Sequence, residues 1–286
     1  MRVAADDVID TGELRLAGVR TRTLSVAGAT PPILLLHGYS DSADTWRPVL
    51  AELAARGQAA VAVDLPSHGR ADLHANAPVL PQLRAFARAL AEAHPQSVLA
   101  GNSLGGLAAL LAAEDGEAPL AGVVAVGPAG LGYQRWFLAM RPLILPLMLG
   151  MRVLPPAAAR LLAAQVYAAV AAHRRPAAAT LDRYAGHFRD RARTAALLRM
   201  VDRLKVEGLP GCVALERIEV PLLLIWGRHD WLVPVAAAAV VREHRADVEL
   251  VVYDDCGHCV QLEAPERLAR QLVEFRDDPA RWTSSS

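Results

Sequence analysis

One serine stands between glycines in "SVLAGNSLGGLAAL", where an apolar run meets a helix-forming run. Gly101-Asn102-Ser103-Leu104-Gly105 has the G-x-S-x-G spacing of a nucleophile elbow, a strained strand-to-helix turn that lifts the serine hydroxyl above a sheet. Gly101 and Gly105 suit it because side chains there would strike neighbouring backbone at so sharp a bend. A dinucleotide-binding turn needs G-x-G-x-x-G, whereas the order here is G-x-x-x-G-G. A hydroxyl is a weak nucleophile until a base takes its proton. Of nine histidines, His258 lies in the turn directly after the last strand and can reach back toward the elbow. His37 in "LLLHGYS" and His68 in "PSHGR" read as loop-shaping residues, and the other six lie on helical or surface segments.

The base needs an acid to hold its tautomer and to stabilise the imidazolium. Asp230 in "LLLIWGRHDWLVP" follows the strand before the one leading to His258, so the two loops are neighbours. Its structural alternative is an N-cap for the next helix. Asp254 and Asp255 precede His258 too closely to face its ring, and the loop after "VVAVGPA" has no carboxylate. An oxyanion needs two preorganised N–H donors, expected from the amides of Leu104 and Tyr39, the latter in the loop after "ILLLHG". Gly38 lets that loop approach closely. Gly38, Asn102, Trp231 and Val260 are the residues expected to contact substrate.

These residues need a scaffold whose strands end at one edge. "ELRLAG" and "VRTRTLSVAG" read as an antiparallel opening, followed by "PPILLLHG", "AAVAVDLP", "SVLAGNS", "LAGVVAVGPA", "VPLLLIWG" and "VELVVYDDCGH". Runs apolar on both faces predict central parallel strands. Between them, Trp46, Val49, Leu50 and Leu53 mark one face of a helix, and 78–94, 104–115, 234–244 and 264–275 read similarly. The expected fold is α/β, a mainly parallel eight-stranded sheet with helices on both faces. From 133 to 211 the alternation stops, and Ala, Leu and Arg dominate with prolines at 142, 146, 155, 156 and 176. That segment predicts an α-helical insertion, leaving 1–132 and 212–286 as the core domain. Its stretch 136–154 is apolar, but Arg141, Pro142, Pro146 and Arg152 interrupt it, and a spanning helix needs about 20 mostly apolar residues.

Composition excludes several classes. Thirty basic residues balance thirty acidic ones, so no global field draws the 286-residue chain to nucleic acid. Lys205 is the only lysine and sits in the charged stretch "DRLKVEG", as a solvated helix residue. Three cysteines, Cys212, Cys256 and Cys259, are too few for a disulfide framework. "CGHC" has CxxC spacing, but a structural zinc needs a second ligand pair, so neither metal nor cofactor is expected. The N-terminal segment, with Asp6, Asp7 and Asp10, does not read as a secretory signal, and the expected location is cytoplasmic.

Taken together, the order Ser103, Asp230, His258 with "HGYSDSADTW", "DLPSHGR", "GNSLGG" and "WGRHDWLVP" resembles the α/β-hydrolase superfamily over about residues 13 to 276. The resemblance implies that 133–211 is a helical cap over the active site. It also implies that serine at the elbow disfavours haloalkane dehalogenase and epoxide hydrolase chemistry. "GNSLGG" is similar to the elbow of hydrolases that cleave carbon–carbon bonds in aromatic ring-fission products. Those enzymes usually carry tryptophan after the histidine, where this chain has Cys259, and "HGPG" where it has "HGYS". The expected function is therefore hydrolysis of an apolar carboxylic ester or related acyl substrate. The alternatives are a carbon–carbon bond hydrolase for vinylogous diketones and a non-catalytic ligand receptor on the same fold. No Asp or Glu occurs between Glu117 and Asp182, while Arg135, Arg141, Arg152, Arg160, Arg174 and Arg175 do. That predicts a substrate bearing a carboxylate or weak contact of the cap with an anionic membrane surface, against solvated arginines as the plain alternative. Oligomeric state is left open.

Overall fold

Alternating burial along short apolar runs builds the centre of the molecule. In β3 (Ala29–Leu36) and β5 (Ser97–Asn102), Ile33, Leu35, Val98 and Ala100 belong to one apolar cluster, while Leu34, Leu36 and Leu99 belong to the other. Successive side chains of a strand point to opposite faces, so each strand feeds both layers. The computed structural model describes residues 8–73, 78–131, 154–208 and 211–282. The remaining strands are β1 (Asp10–Leu16), β2 (Val19–Val26), β4 (Gln58–Val63), β6 (Leu120–Val126), β7 (Leu222–Gly227) and β8 (Glu249–Tyr253). They form one eight-stranded sheet in the order β1-β2-β4-β3-β5-β6-β7-β8. β1 pairs with β2 and β2 with β4 antiparallel, and all other pairs are parallel. The fold class and antiparallel opening expected from sequence are thus observed.

Helices cover both faces. α1 (Arg47–Ala55) and α9 (Pro265–Asp277) pack together on one side. On the other lie α2 (Val79–Ala93), α3 (Leu104–Ala113) and α7 (Ala238–His244). α2 buries Val79, Leu83, Phe86, Ala87, Leu90 and Ala91, the stripe of a one-sided helix, whereas all ten residues of α3 are buried. Between β6 and β7 come α4 (Pro156–Val170), α5 (Ala178–Ala185) and α6 (Arg191–Val206), and α8 (Val260–Glu263) follows β8. Most of the apolar stretch 136–154 lies outside the described residues. Among those described, no helix is long and apolar enough to cross a membrane.

The order reverses at β3, with β4 on one side and β5 on the other. Loops leaving neighbouring strands at such a point diverge and open a crevice at the strands' C-terminal edge. A buried ion pair shapes the loop on the β3 side. The Arg22 guanidinium donates to both Asp64 oxygens at 2.9 and 3.0 Å and to Asp44 at 2.7 Å. The same Asp64 carboxylate accepts the amides of Ala43 and Arg70, each at 2.8 Å. Four donors on one buried carboxylate tie β2, the loop after β3 and the loop after β4 into one unit. Removing one partner of such a group strands the others. Asp64→Leu should therefore cost about 3–5 kcal/mol of stability, read as a lower urea midpoint with unchanged slope. A loss below about 1 kcal/mol would mean that water replaces the carboxylate at these donors.

Candidate active site

Ser103 stands between β5 and α3 with φ 54° and ψ −114°, a left-handed conformation that non-glycine residues rarely adopt. Hydrogen bonds to the end of β6 hold the turn. The Ser103 amide donates to the Val126 carbonyl at 2.9 Å, and the Ser103 carbonyl accepts from Ala129 and Leu107, both at 3.0 Å. A Cβ on Gly101 would lie 2.3 Å from the Gly105 carbonyl carbon, and one on Gly105 2.3 Å from the Leu36 oxygen, so the bend requires both glycines. Gly38 abuts Ser103, since its Cβ would stand 3.3 Å from that of the serine. α3 begins with Leu104, directing the free N–H groups of its first turn toward the same place.

β8 lies three strands from β5, or about 14 Å at ~4.8 Å per strand. The turn after β8 closes that gap by folding back across the strand ends. Asn102, next to Ser103, donates its Nδ2 to the His258 carbonyl at 3.0 Å and to the Val126 carbonyl at 3.1 Å. Its Oδ1 accepts from Gln261 Nε2 at 3.2 Å, and that Nε2 also reaches Thr45 Oγ at 3.2 Å. One buried polar network thus joins the elbow, the histidine turn and the loop after β3.

His258 Nδ1 lies 2.7 Å from Asp230 Oδ2, both side chains being buried. The carboxylate accepts the Nδ1 proton, leaving Nε2 as the basic nitrogen. The other Asp230 oxygen accepts the amides of Leu232 and Val233 at 2.9 and 2.8 Å. One carboxylate thus caps the following turn with one oxygen and meets the imidazole with the other. Trp226 Nε1 donates to the Val233 carbonyl at 2.7 Å and pins the same turn. Gly127 stands where β6 ends between the elbow and the acid. It has φ 47°, and a Cβ there would lie 3.0 Å from Asp230 Oδ2 and 3.6 Å from His258 Nδ1. Sequence reasoning searched this loop for a carboxylate and overlooked the glycine. The available signal was its place at the end of the one strand lying between those of Ser103 and Asp230.

The other expectations divide. Asn102 is 2% exposed with its amide spent on the network above, so it holds the His258 turn and presents no open surface to a ligand. Val260 is 1% exposed and belongs to the apolar cluster that includes α1 and α9, a second correction. Trp231 stands at the surface, 66% exposed, directly after Asp230. Tyr39 donates its hydroxyl to the Leu197 carbonyl of α6 at 2.9 Å, so its side chain is tied to the helices above the sheet. His37 is a loop-shaping residue, as expected. Its Nε2 accepts the Leu65 amide at 2.9 Å, its Nδ1 lies 2.7 Å from the Gly38 carbonyl, and burial lowers it to about pKa 4, so it stays neutral. Asp254 pairs with Arg228 and Asp255 with Arg267, clear of the imidazole. Cys256 and Cys259 are free thiols, and burial pushes Cys259 up, away from thiolate chemistry. Among the described residues, no three His, Cys, Asp or Glu side chains cluster as a metal site would require.

A strained serine turn and a carboxylate-braced imidazole, at one edge of a mostly parallel eight-stranded sheet, define a hydrolase of α/β architecture. The chain belongs to the alpha/beta hydrolase family, whose profile matches residues 33–271. It is 26% identical, over its whole length and 87% of the other chain, to an uncharacterized protein of Mycobacterium tuberculosis. It is 31% identical to the monoacylglycerol lipase of Mus musculus over 61 residues, 21% of this chain and 18% of the lipase. The chain thus matches less than a fifth of that relative's length. Among solved structures, a serine hydrolase involved in carbazole degradation superposes with a TM-score of 0.77 at 21% identity, covering 94% of this chain and 99% of that one.

Asp41, two residues past Tyr39, is 7% exposed and accepts the Ser42 amide at 2.8 Å. Burial raises its carboxyl from 3.8 to about 7. The folded protein therefore keeps this proton where the unfolded chain has lost it. The stability Asp41 contributes is full below about pH 3.8 and falls as pH rises toward about 7. Asp41→Asn should remove that fall, so the variant's melting temperature should gain on wild type between pH 4 and pH 8. An equal difference at both pH values would mean that the folded carboxyl is hydrated.

Proposed function

We propose that this hydrolase cleaves a carboxylic ester, or a related acyl substrate with an apolar acyl group, through a Ser103–His258–Asp230 triad and an acyl-enzyme. The observation that carries the reading is the 2.7 Å contact between His258 Nδ1 and Asp230 Oδ2, at the strand edge where Ser103 occupies its left-handed turn. His258 Nε2 takes the Ser103 proton, and Ser103 Oγ attacks the carbonyl carbon. The amides of Leu104 and Tyr39 hold the oxyanion, each such donor being worth about 10²–10³ in rate. The imidazolium, stabilised by Asp230, gives its proton to the leaving alcohol. A water activated by His258 then releases the acid and restores the serine.

In this reading the segment 133–211 is a cap over the site, and Gly38 and Trp231 border the substrate. Arg160 pairs with Asp182, and Arg174 approaches Asp255 at 4.0 Å, so the basic character of that segment is partly neutralised within the protein. This favours a neutral ester over one bearing a carboxylate. The likeness to a monoacylglycerol lipase over a fifth of the chain supports ester chemistry in the same sense.

Ser103→Ala should lower kcat for a responsive ester by about 10⁶ and abolish labelling by a serine-directed fluorophosphonate, with folding nearly unchanged. A panel of esters, thioesters, lactones and vinylogous diketones selects among acyl substrates. Turnover of the diketones alone would transfer the assignment to carbon–carbon cleavage. Ser103-dependent labelling without turnover of any panel member would point to a receptor.

A further inference from the structure

The two amides that flank His258 lead away from the triad. Gly257 N–H donates to Glu263 Oε2 at 2.6 Å, and Cys259 N–H donates to the Ala171 carbonyl, just past α4, at 2.9 Å. The second oxygen of Glu263 accepts the Arg174 amide at 2.8 Å. A single half-buried carboxylate therefore bridges the main chain of the histidine turn to that of the segment after α4. The approach is close enough that a Cβ on Gly257 would lie 2.6 Å from the His173 nitrogen. Tyr167, in the last turn of α4, adds a hydroxyl 3.3 Å from Cys259 Sγ. The His173 ring stacks on His229, beside Asp230, with centroids 4.0 Å apart and planes 11° from parallel. The end of α4 thus rests on both turns that carry the imidazole–carboxylate pair.

We propose that Glu263 is a positioning residue that couples the seating of the α4 end to the posture of His258. The hydrolase then turns over at full rate only while residues 171–174 sit on the histidine turn. The inference rests on the triad reading above. Displacing a reacting group by about 1 Å can cost 10²-fold in rate even when the cause lies away from the chemistry.

Glu263→Ala should lower kcat about 10–100-fold with KM within about threefold, since the residue orients the base without touching substrate. Glu263→Gln keeps one acceptor oxygen and should fall between Glu263→Ala and wild type. Leu83→Ala, a core change on α2, serves as a control of comparable stability loss and should leave kcat within about threefold. In Glu263→Ala, amide hydrogen exchange of residues 171–175 and 256–262 should accelerate together. An unchanged kcat, or acceleration in only one stretch, would overturn the coupling. If the wild-type protein neither labels nor hydrolyses any ester, the triad reading fails. The exchange experiment still decides whether the two segments are clamped.

Discussion

The hydrogen bond between His258 Nδ1 and Asp230 Oδ2 is the contact that the surrounding structure is arranged to permit. Two buried groups that prefer water must meet without it, which is tolerable only if every remaining valence is met. Asp230 spends one oxygen on two turn amides and the other on the imidazole. Gly127 leaves the space in which they meet, and Trp226 fixes the acid turn from the far side. The imidazole's tautomer follows from that contact, and the tautomer decides which nitrogen is basic. A neutral acceptor such as asparagine could occupy the same volume but would not stabilise the imidazolium.

Strain gathers at the same edge. Ser40, Ser67 and Ser103 are non-glycine residues with positive φ, at 57°, 68° and 54°, one in each loop that leaves β3, β4 and β5. Each costs of order 1–3 kcal/mol and persists only where its neighbours over-determine it. Ser40 Oγ is 2.7 Å from the Tyr184 hydroxyl, Ser67 N donates to the Asp72 carbonyl at 3.0 Å, and Ser103 N is held by Val126. The Arg22–Asp64–Asp44 network lies beneath the first two loops. The distortion is held by hydrogen bonds made in the resting protein, so these loops need little further ordering during reaction.

What could be read from the chain follows from how local each feature is. The eight strands, the helices on both faces and the elbow depend on periodicity and on glycines within a few residues of one another. The order of Ser103, Asp230 and His258 follows from strand succession. Asn102 and Val260 were misplaced because adjacency along the chain was taken for adjacency to the cleft. Asn102 is the last residue of β5 and turns under the histidine, and Val260 opens α8 facing the core. Gly127, Gln261 and Glu263 left no local mark, because their partners are brought to them only by the sheet order and by the descent of α4. Trp231 was legible as an aromatic beside Asp230, whereas its exposure at the surface was not.

The distribution of apolar contacts sets α4 and α5 apart from the rest of the described structure. Among the described residues, the two large clusters belong to the sheet and its covering helices, and they include Met200 and Leu204 from α6 but no residue of α4 or α5. Those helices pack in two small clusters, one around Ala163, Phe188 and Leu197 and the other around Tyr167, Ala171 and Cys259. Their remaining ties to the sheet edge include hydrogen bonds, among them Ser40 with Tyr184 and Cys259 N–H with the Ala171 carbonyl. A hydrogen bond exchanged for one to water changes stability by about 1 kcal/mol, whereas opening the apolar core would expose whole side chains at about 1.5–3 kcal/mol each. The loop after β3 is held from two of these helices, by Tyr184 of α5 at Ser40 and by the Leu197 carbonyl of α6 at Tyr39, whereas the end of α4 holds the histidine turn.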